Sequence, residues 1–328
     1  MRMCIVGYGS IGERHADNLK TLGHTVSVLD TSEEARNRSV SSGYCTYSSL
    51  QEALETLPEI VLICTDTTSH IPLCQEVLIH NSTTLKGIFI EKPISFSMEG
   101  VETVVNICKE RNIKLGCACN LLYLSGIKLM KMLLNNNSVG TVYSASYFFG
   151  HNLSKWNNRD YRNTYSAGEK GGIILDDIHS IYLCEDMFGH LITDVKASLH
   201  YSKLLEITNE DAFELIGKTN RNILLRIHGD YLASEYTRNL EIQGTEGTLQ
   251  WEMCKVDNDM LESYVYIKTP AFPEYRTFNV SQELNCMYMD MMADYIKFVN
   301  KEKEYFHNGV YELIIVSKIK EQQNNVNR

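Results

Sequence analysis

The sequence predicts an α/β protein in which a doubly wound parallel sheet is followed by a second α/β domain built on a large, mainly antiparallel open sheet. Three observations carry that expectation. Short apolar runs alternate with helix-period segments through the first third of the chain, the pattern of βαβ units. The first run ends in a glycine-rich turn, Gly7-Tyr8-Gly9-Ser10-Ile11-Gly12. Near residue 120 the alternation stops and long β-rich stretches take over. At about 150 residues per domain, a chain of 328 residues holds two domains, here 1–120 and 121–328.

Residues 3–6 form a short buried strand and 11–22 a helix, with Leu19 and Leu22 on its apolar face. Residues 25–29 are β-rich and end at Asp30, and 33–40 are helical. The run 60–63 is apolar throughout, as a strand covered on both faces must be. A helix over 71–79, a strand over 87–90, a helix over 101–111 and a strand over 113–117 complete the first domain. Beyond it come a helix at 124–134, an alternating strand at 139–149, and a loop rich in aromatic and charged residues from 151 to 170. Gly171-Gly172 opens a helix to about residue 188, and 192–278 is mainly β with turns at 220–221 and 244–247. Leu284, Met287, Met291, Tyr295 and Val299 then recur at helical spacing, and a last helix covers 311–322.

Composition removes several function classes. Lys+Arg is 31 against Asp+Glu 41, a net charge of −10, which argues against a nucleic-acid or other polyanion binder. Five prolines and no low-complexity run exclude a long disordered segment. The longest uncharged stretch, 132–154, contains Asn135, Asn136, Asn137 and His151, so no membrane span of ~20 apolar residues is expected. A strand pattern begins almost at Met1 and leaves no room for a signal peptide, so a cytoplasmic location is expected. The ten cysteines are scattered without a CxxC pair. They are expected to act as small buried hydrophobes in a reducing compartment, with no metal site.

The glycine turn has the context its chemistry requires. It follows a strand and opens a helix, so the backbone can approach a pyrophosphate and the helix N-terminus can receive it. Asp30, 18 residues after Gly12, ends the second strand. A carboxylate there accepts hydrogen bonds from a ribose diol and repels a 2′-phosphate, so NAD is favoured over NADP. His15, on the first helix, is expected to be structural. Glu91-Lys92-Pro93 follows the strand 87–90, at the carboxyl edge where open parallel sheets bind ligands. Proline restricts the residue before it, so Lys92 is presented in an extended conformation.

Together the GxGxxG turn, the Glu-Lys-Pro tripeptide and a Gly-Gly helix carrying Asp176 and His179 resemble the glucose–fructose oxidoreductase/inositol dehydrogenase (Gfo/Idh/MocA) family, along essentially the whole chain. The segment 171–179 and the loop 152–167 are closer to a branch found in surface-polysaccharide and nonulosonic-acid gene clusters. The resemblance implies a Rossmann domain, a substrate domain whose open sheet often serves a homodimer or homotetramer, and NAD(P)-dependent oxidation or reduction of a sugar, sugar acid or nucleotide sugar. It implies cofactor contacts from Gly7, Gly9, Ser10, Ile11, Gly12, Asp30, Thr65, His70, Glu91 and Lys92. Lys92, Asp176 and His179 are the implied catalytic residues.

Asp176 precedes His179 by three residues, which puts both on one face of a continuous helix, with Asp177 as a competing carboxylate on another face. A histidine titrates near working pH and suits a general base. Asn120, Trp156, Tyr161, Arg162 and Tyr165, with Asp176 and His179, are the expected substrate contacts. Lys155, Arg159 and Arg162 against Asp160 give the loop a local charge of +2 and, with its aromatic residues, the character of a pocket for an anionic sugar. One position departs from the family: Leu122 stands where many relatives carry arginine. An NAD-recycling glycoside hydrolase and a non-catalytic NAD- and sugar-binding regulator are the competing readings.

Overall fold

The computed structural model describes residues 1–80, 83–158, 160–255 and 259–326, except the side chains of 156–158, 192–194, 255 and 324–326. The chain forms two compact units, Met1–Cys119 with Tyr288–Ile314, and Asn120–Met287 with Ile315–Arg328.

The first unit contains β1 (Arg2–Val6), α1 (Ser10–Thr21), β2 (Thr25–Leu29), α2 (Glu33–Ser41), β3 (Cys45–Tyr47), α3 (Leu50–Glu55), β4 (Ile60–Ile63), α4 (His70–His80), β5 (Gly87–Ile90), α5 (Val101–Glu110) and β6 (Lys114–Cys117). Its six strands are all parallel, in the order β3-β2-β1-β4-β5-β6. That is the doubly wound order, whose switch point lies between β1 and β4. Every residue of β4 and β5 is buried, which the continuous apolar runs require. The element β3 and the helix α3 were not legible beforehand: three residues show no periodicity, and α3 depends on the Ser49 side chain accepting from Glu52 N.

The second unit opens with α6 (Ser125–Asn135) and β7 (Val142–Asn152), then α7 (Ile173–Asp176) and α8 (Ile178–Phe188). There follow β8 (Leu191–His200), β9 (Ala212–Thr219), β10 (Leu224–Asp230), β11 (Leu232–Gly244), β12 (Gly247–Lys255), β13 (Met260–Thr269) and β14 (Phe272–Glu283). The eight strands run in the order β14-β13-β12-β11-β7-β10-β9-β8, antiparallel throughout except for the parallel pair β7–β10. The sheet alternates: Leu261, Val265 and Ile267 of β13 are buried while their neighbours face outward. The helix α6 lies directly on it, because Gly126 has no Cβ to meet Ser263 and Trp251 at 2.4–2.6 Å.

The chain closes with α9 (Leu284–Val299) and α10 (Val310–Val326). The sequence runs the second domain unbroken from 121 to 328, but the segment 288–314 packs with the first unit. The reason is Tyr295. Its ring fills the space that a Cβ would occupy at Gly87 and Gly116, and its hydroxyl donates to Lys114 O at 2.8 Å. It stacks edge-on against Phe89 and Phe306, with centroids 5.1 and 5.2 Å away. Burying such a ring contributes roughly 1.5–3 kcal/mol. Among the described residues no helix is long and apolar enough to cross a membrane. None of the ten cysteines forms a disulfide, and seven are buried.

Candidate active site

In the first unit the glycine turn leaves β1 with Gly7 at φ +95°, where an added Cβ would lie 2.9 Å from Cys64 O. Gly12 is tighter still, since its Cβ would fall 1.9 Å from Gly7 O. Gly9 is different: a Cβ there would meet no protein atom within 4 Å. Two glycines therefore close the turn, while the third leaves open space at the start of α1, a cradle that suits a pyrophosphate. Asp30 accepts from Tyr8 N at 2.6 Å through Oδ2 and from Ser32 N at 2.7 Å through Oδ1. Each carboxylate oxygen keeps a lone pair for a ribose hydroxyl. Two cations nearby were not anticipated. Arg36 donates to the carbonyls of Asp30 and Thr31, and Arg38 to Tyr8 O and Glu34.

The carboxyl ends of β4 and β5 bring Thr65, His70, Glu91 and Lys92 together. Both ring nitrogens of His70 face carbonyls, Pro93 O at 2.9 Å and Thr65 O at 3.1 Å. Burial lowers its pKa, and these backbone bonds counter only part of that. His70 lies between the two loops, and its neutral imidazole, with one N–H, donates to only one of these carbonyls. Glu91 Oε1 pairs with the buried His15 Nε2 at 2.7 Å, and Glu91 Oε2 accepts from Lys92 N at 3.2 Å. His15 is thus part of the scaffold, as expected. The Lys92–Pro93 peptide is cis.

In the second unit the expected continuous helix over 171–188 is broken. Asp177, at φ −91° and ψ 34°, ends α7 and precedes α8. Asp176 and His179 accordingly sit on two short helices, not on one face of a single helix. The Gly-Gly pair seats α7: a Cβ on Gly171 would fall 2.2 Å from Tyr165 O, and one on Gly172 2.2 Å from Glu210 Oε1. Asp176 Oδ2 accepts from Ser166 Oγ at 2.8 Å and Tyr231 OH at 3.1 Å. Burial and the charge of Asp176 hold the Tyr231 hydroxyl well above its usual pKa, so it remains a donor. Asp177 is fully buried and bound to Arg238 Nη1 at 3.1 Å. That guanidinium also lies 4.0 Å from the centre of the Phe149 ring. His179 Nδ1 meets Tyr182 OH at 2.5 Å. The same hydroxyl accepts from Leu121 N at 3.1 Å and lies 3.4 Å from Asn120 Oδ1. His151, buried against Tyr231, has its pKa pushed down to about 4 by burial.

The loop is tied to itself more than its sequence suggested. Arg162 forks onto Asp160 at 2.8 and 2.9 Å and reaches Glu206 at 3.3 Å, so the expected +2 is offset by a distant glutamate. Tyr161 OH accepts from Glu206 N, and Tyr165 OH donates to Lys170 O. The Trp156 side chain and Arg159 lie outside the described residues. Leu122 is buried at 8% exposure, as an apolar residue at this position should be. The partners that sequence reasoning missed, Tyr182, Tyr231, Ser166 and Arg238, carry no local motif. Only tertiary structure brings them to Asp176, Asp177 and His179.

Residues 1–118 match the model of an oxidoreductase family with an NAD-binding Rossmann fold, and residues 127–250 match the GFO/IDH/MocA C-terminal domain. The chain belongs to the Gfo/Idh/MocA oxidoreductase family. Its first unit is the NAD-binding Rossmann domain of that family. An uncharacterised oxidoreductase of Bacillus subtilis, YrbE, is 23% identical over 261 residues, 74% of this chain and 71% of its own. Two solved structures of sugar-modifying enzymes share the fold. UDP-N-acetylglucosamine 3-dehydrogenase GnnA from Acidithiobacillus ferrooxidans superimposes with a TM-score of 0.77 at 15% identity, covering 98% of this chain and 96% of that one. The WlbA dehydrogenase of Bordetella pertussis, solved with NADH and UDP-GlcNAcA, gives a TM-score of 0.77 at 17% identity, covering 98% and 95%.

Proposed function

We propose that this family member is an NAD-dependent dehydrogenase that acts on one hydroxyl of a sugar, sugar acid or nucleotide sugar in surface-glycan biosynthesis. Run in reverse, it reduces the corresponding keto sugar. The observation that carries the reading is the His179–Tyr182–Asn120 chain of polar contacts. A phenol that accepts from Leu121 N and donates to Asn120 Oδ1 has one lone pair left for His179 Nδ1–H. That arrangement selects the imidazole tautomer whose Nε2 is a proton acceptor, as a general base requires.

The bound cofactor supplies the hydride acceptor. The chain's own groups supply the rest. His179 takes the proton of the reacting hydroxyl at Nε2. Lys92, at the carboxyl edge of the first sheet, is the donor to an oxygen on which negative charge develops. Asp176, steadied by Ser166 and Tyr231, accepts from a neighbouring substrate hydroxyl. Asp177 is not the catalytic carboxylate, because its charge is already committed to Arg238. Gly7, Gly9, Ser10, Ile11 and Gly12 hold the pyrophosphate, and Asp30 holds the adenosine ribose. Asn120, Tyr161, Arg162 and Tyr165 border the sugar. The nucleotide sugar that names GnnA and the UDP-GlcNAcA bound to WlbA support this substrate class, and the open sheet of the second unit supports a homodimer or homotetramer.

The test is nicotinamide absorbance with purified protein, NAD and a panel of nucleotide sugars, uronic acids, amino sugars and inositols. Reduction with one sugar subset, lost in His179→Ala, is the expected result. Cleavage of a chromogenic glycoside without net reduction of NAD would overturn it.

A further inference from the structure

We propose that Cys119, His307 and Glu312 form a zinc site within the first unit. The sequence carries no CxxC or HxxxH spacing that would announce one, because Cys119 lies far from His307 and Glu312 along the chain. Cys119 follows β6, while His307 and Glu312 flank the start of α10. The fold nonetheless brings their ligand atoms within 4.8 Å of one another, and all three residues are buried, at 2%, 9% and 2% exposure.

The placement is held from both sides. Cys117 N donates to His307 O at 2.8 Å, which staples the segment before α10 to the end of β6. Gly309 turns the chain at φ +75°, where any Cβ would fall 2.9 Å from Cys117 Sγ, and so sets Glu312 in the first turn of α10.

An ordinary ion pair does not account for the cluster. His307 Nδ1 and Glu312 Oε1 are 3.7 Å apart, beyond hydrogen-bond length, and Glu312 Oε1 is buried with no hydrogen-bond donor. A buried carboxylate oxygen in that state is costly, and a cation between the three groups relieves it. The 3.7 Å between His307 Nδ1 and Glu312 Oε1 fits one ion, since tetrahedral zinc with bonds of about 2.0–2.3 Å sets its ligand atoms about 3.3–3.8 Å apart, and the ligand atoms, all within 4.8 Å of one another, need draw in by no more than about 1–1.5 Å to hold it. The donor set selects the metal. A thiolate with an imidazole suits zinc, whereas magnesium and calcium take oxygen ligands. Thiolate and carboxylate together balance the double positive charge, and water completes the four-fold shell. A zinc ion here ties the returning segment 288–314 to β6 and needs no part in hydride transfer.

Metal content of full-length protein, purified without chelator and measured by mass spectrometry, tests the site alongside Cys119→Ala and Glu312→Gln. The wild type is expected to hold about one zinc per chain, with each variant below about a tenth of that. Cobalt(II) titration should give a thiolate charge-transfer band that Cys119→Ala lacks. A chelator should lower the Tm of the wild type and leave that of Glu312→Gln unchanged. If a variant does not fold, the wild-type stoichiometry and its chelator response decide. Zinc-free wild type that neither binds added zinc nor gains Tm from it overturns the proposal. So does zinc that persists in both variants, which would lie on the exposed Cys45, Cys254 or Cys286.

Discussion

Asp177 Oδ1 accepts from Arg238 Nη1 at 3.1 Å, with both side chains buried, at the residue where the helix bearing Asp176 ends and the helix bearing His179 begins. The pair fixes the junction between the two candidate catalytic side chains. Arg238 is held in turn by Tyr236 and Tyr147, and Ser180 Oγ closes the turn by donating to Asp177 O.

Removing one partner leaves a buried charge uncompensated. Asp177→Ala should destabilise the protein by about 3–5 kcal/mol. Urea denaturation measures this, and a loss below about 1 kcal/mol would show that the pair is not holding the junction.

The glycine turn makes two opposite predictions. Gly12→Ala drives a Cβ into Gly7 O and should lower Tm as well as NADH affinity. Gly9→Ala meets no protein atom, so it should fold like wild type and lose NADH affinity by about tenfold or more, since only the cofactor would occupy that space. Unchanged NADH binding in folded Gly9→Ala would place the pyrophosphate elsewhere.

Tyr182→Phe removes the hydroxyl that orients His179 and leaves Leu121 N and Asn120 without their partner. Turnover should fall by about 10²-fold, within the range that general-base catalysis supplies. KM should hardly move. An effect confined to KM would make Tyr182 a substrate contact instead.

His151 predicts an acid sensitivity. Its pKa is pushed down to about 4 in the folded chain, from 6.5. Between those values the unfolded chain takes up the proton and the folded chain does not, so stability falls as pH drops from about 6.5 towards 4. The full loss is about 3 kcal/mol. Denaturation midpoints across that window should slope for wild type and flatten for His151→Gln. Equal slopes would assign the acid sensitivity to other groups.

Both sheets were legible because their signals are local. Four-residue apolar runs, the glycine turn and strict alternation in the second half each state their element within a few residues. The break at Asp177 was not legible. Ile173 to Phe188 reads as one apolar helix, and what stops it is a buried arginine 61 residues further on. The return of 288–314 to the first unit was hidden for a related reason. A helical stripe at Met291, Tyr295 and Val299 says that a face is buried, but not that Gly87 and Gly116 have left room for Tyr295. Arg162 reads as available to a substrate because its second partner, Glu206, is 44 residues away and gives no local sign of the pairing. Lys92, Asp176 and His179 were chosen from motifs. Tyr182, Tyr231 and Ser166 had no motif to give them away.

The most direct measurement pairs NADH binding with turnover in Lys92→Ala and His179→Ala. NADH affinity is read by fluorescence titration, and turnover by nicotinamide absorbance with the sugar that the wild type accepts. The account predicts that both variants bind NADH within about threefold of wild type and lose at least about 10²-fold in kcat. Wild-type turnover in either variant would contradict it.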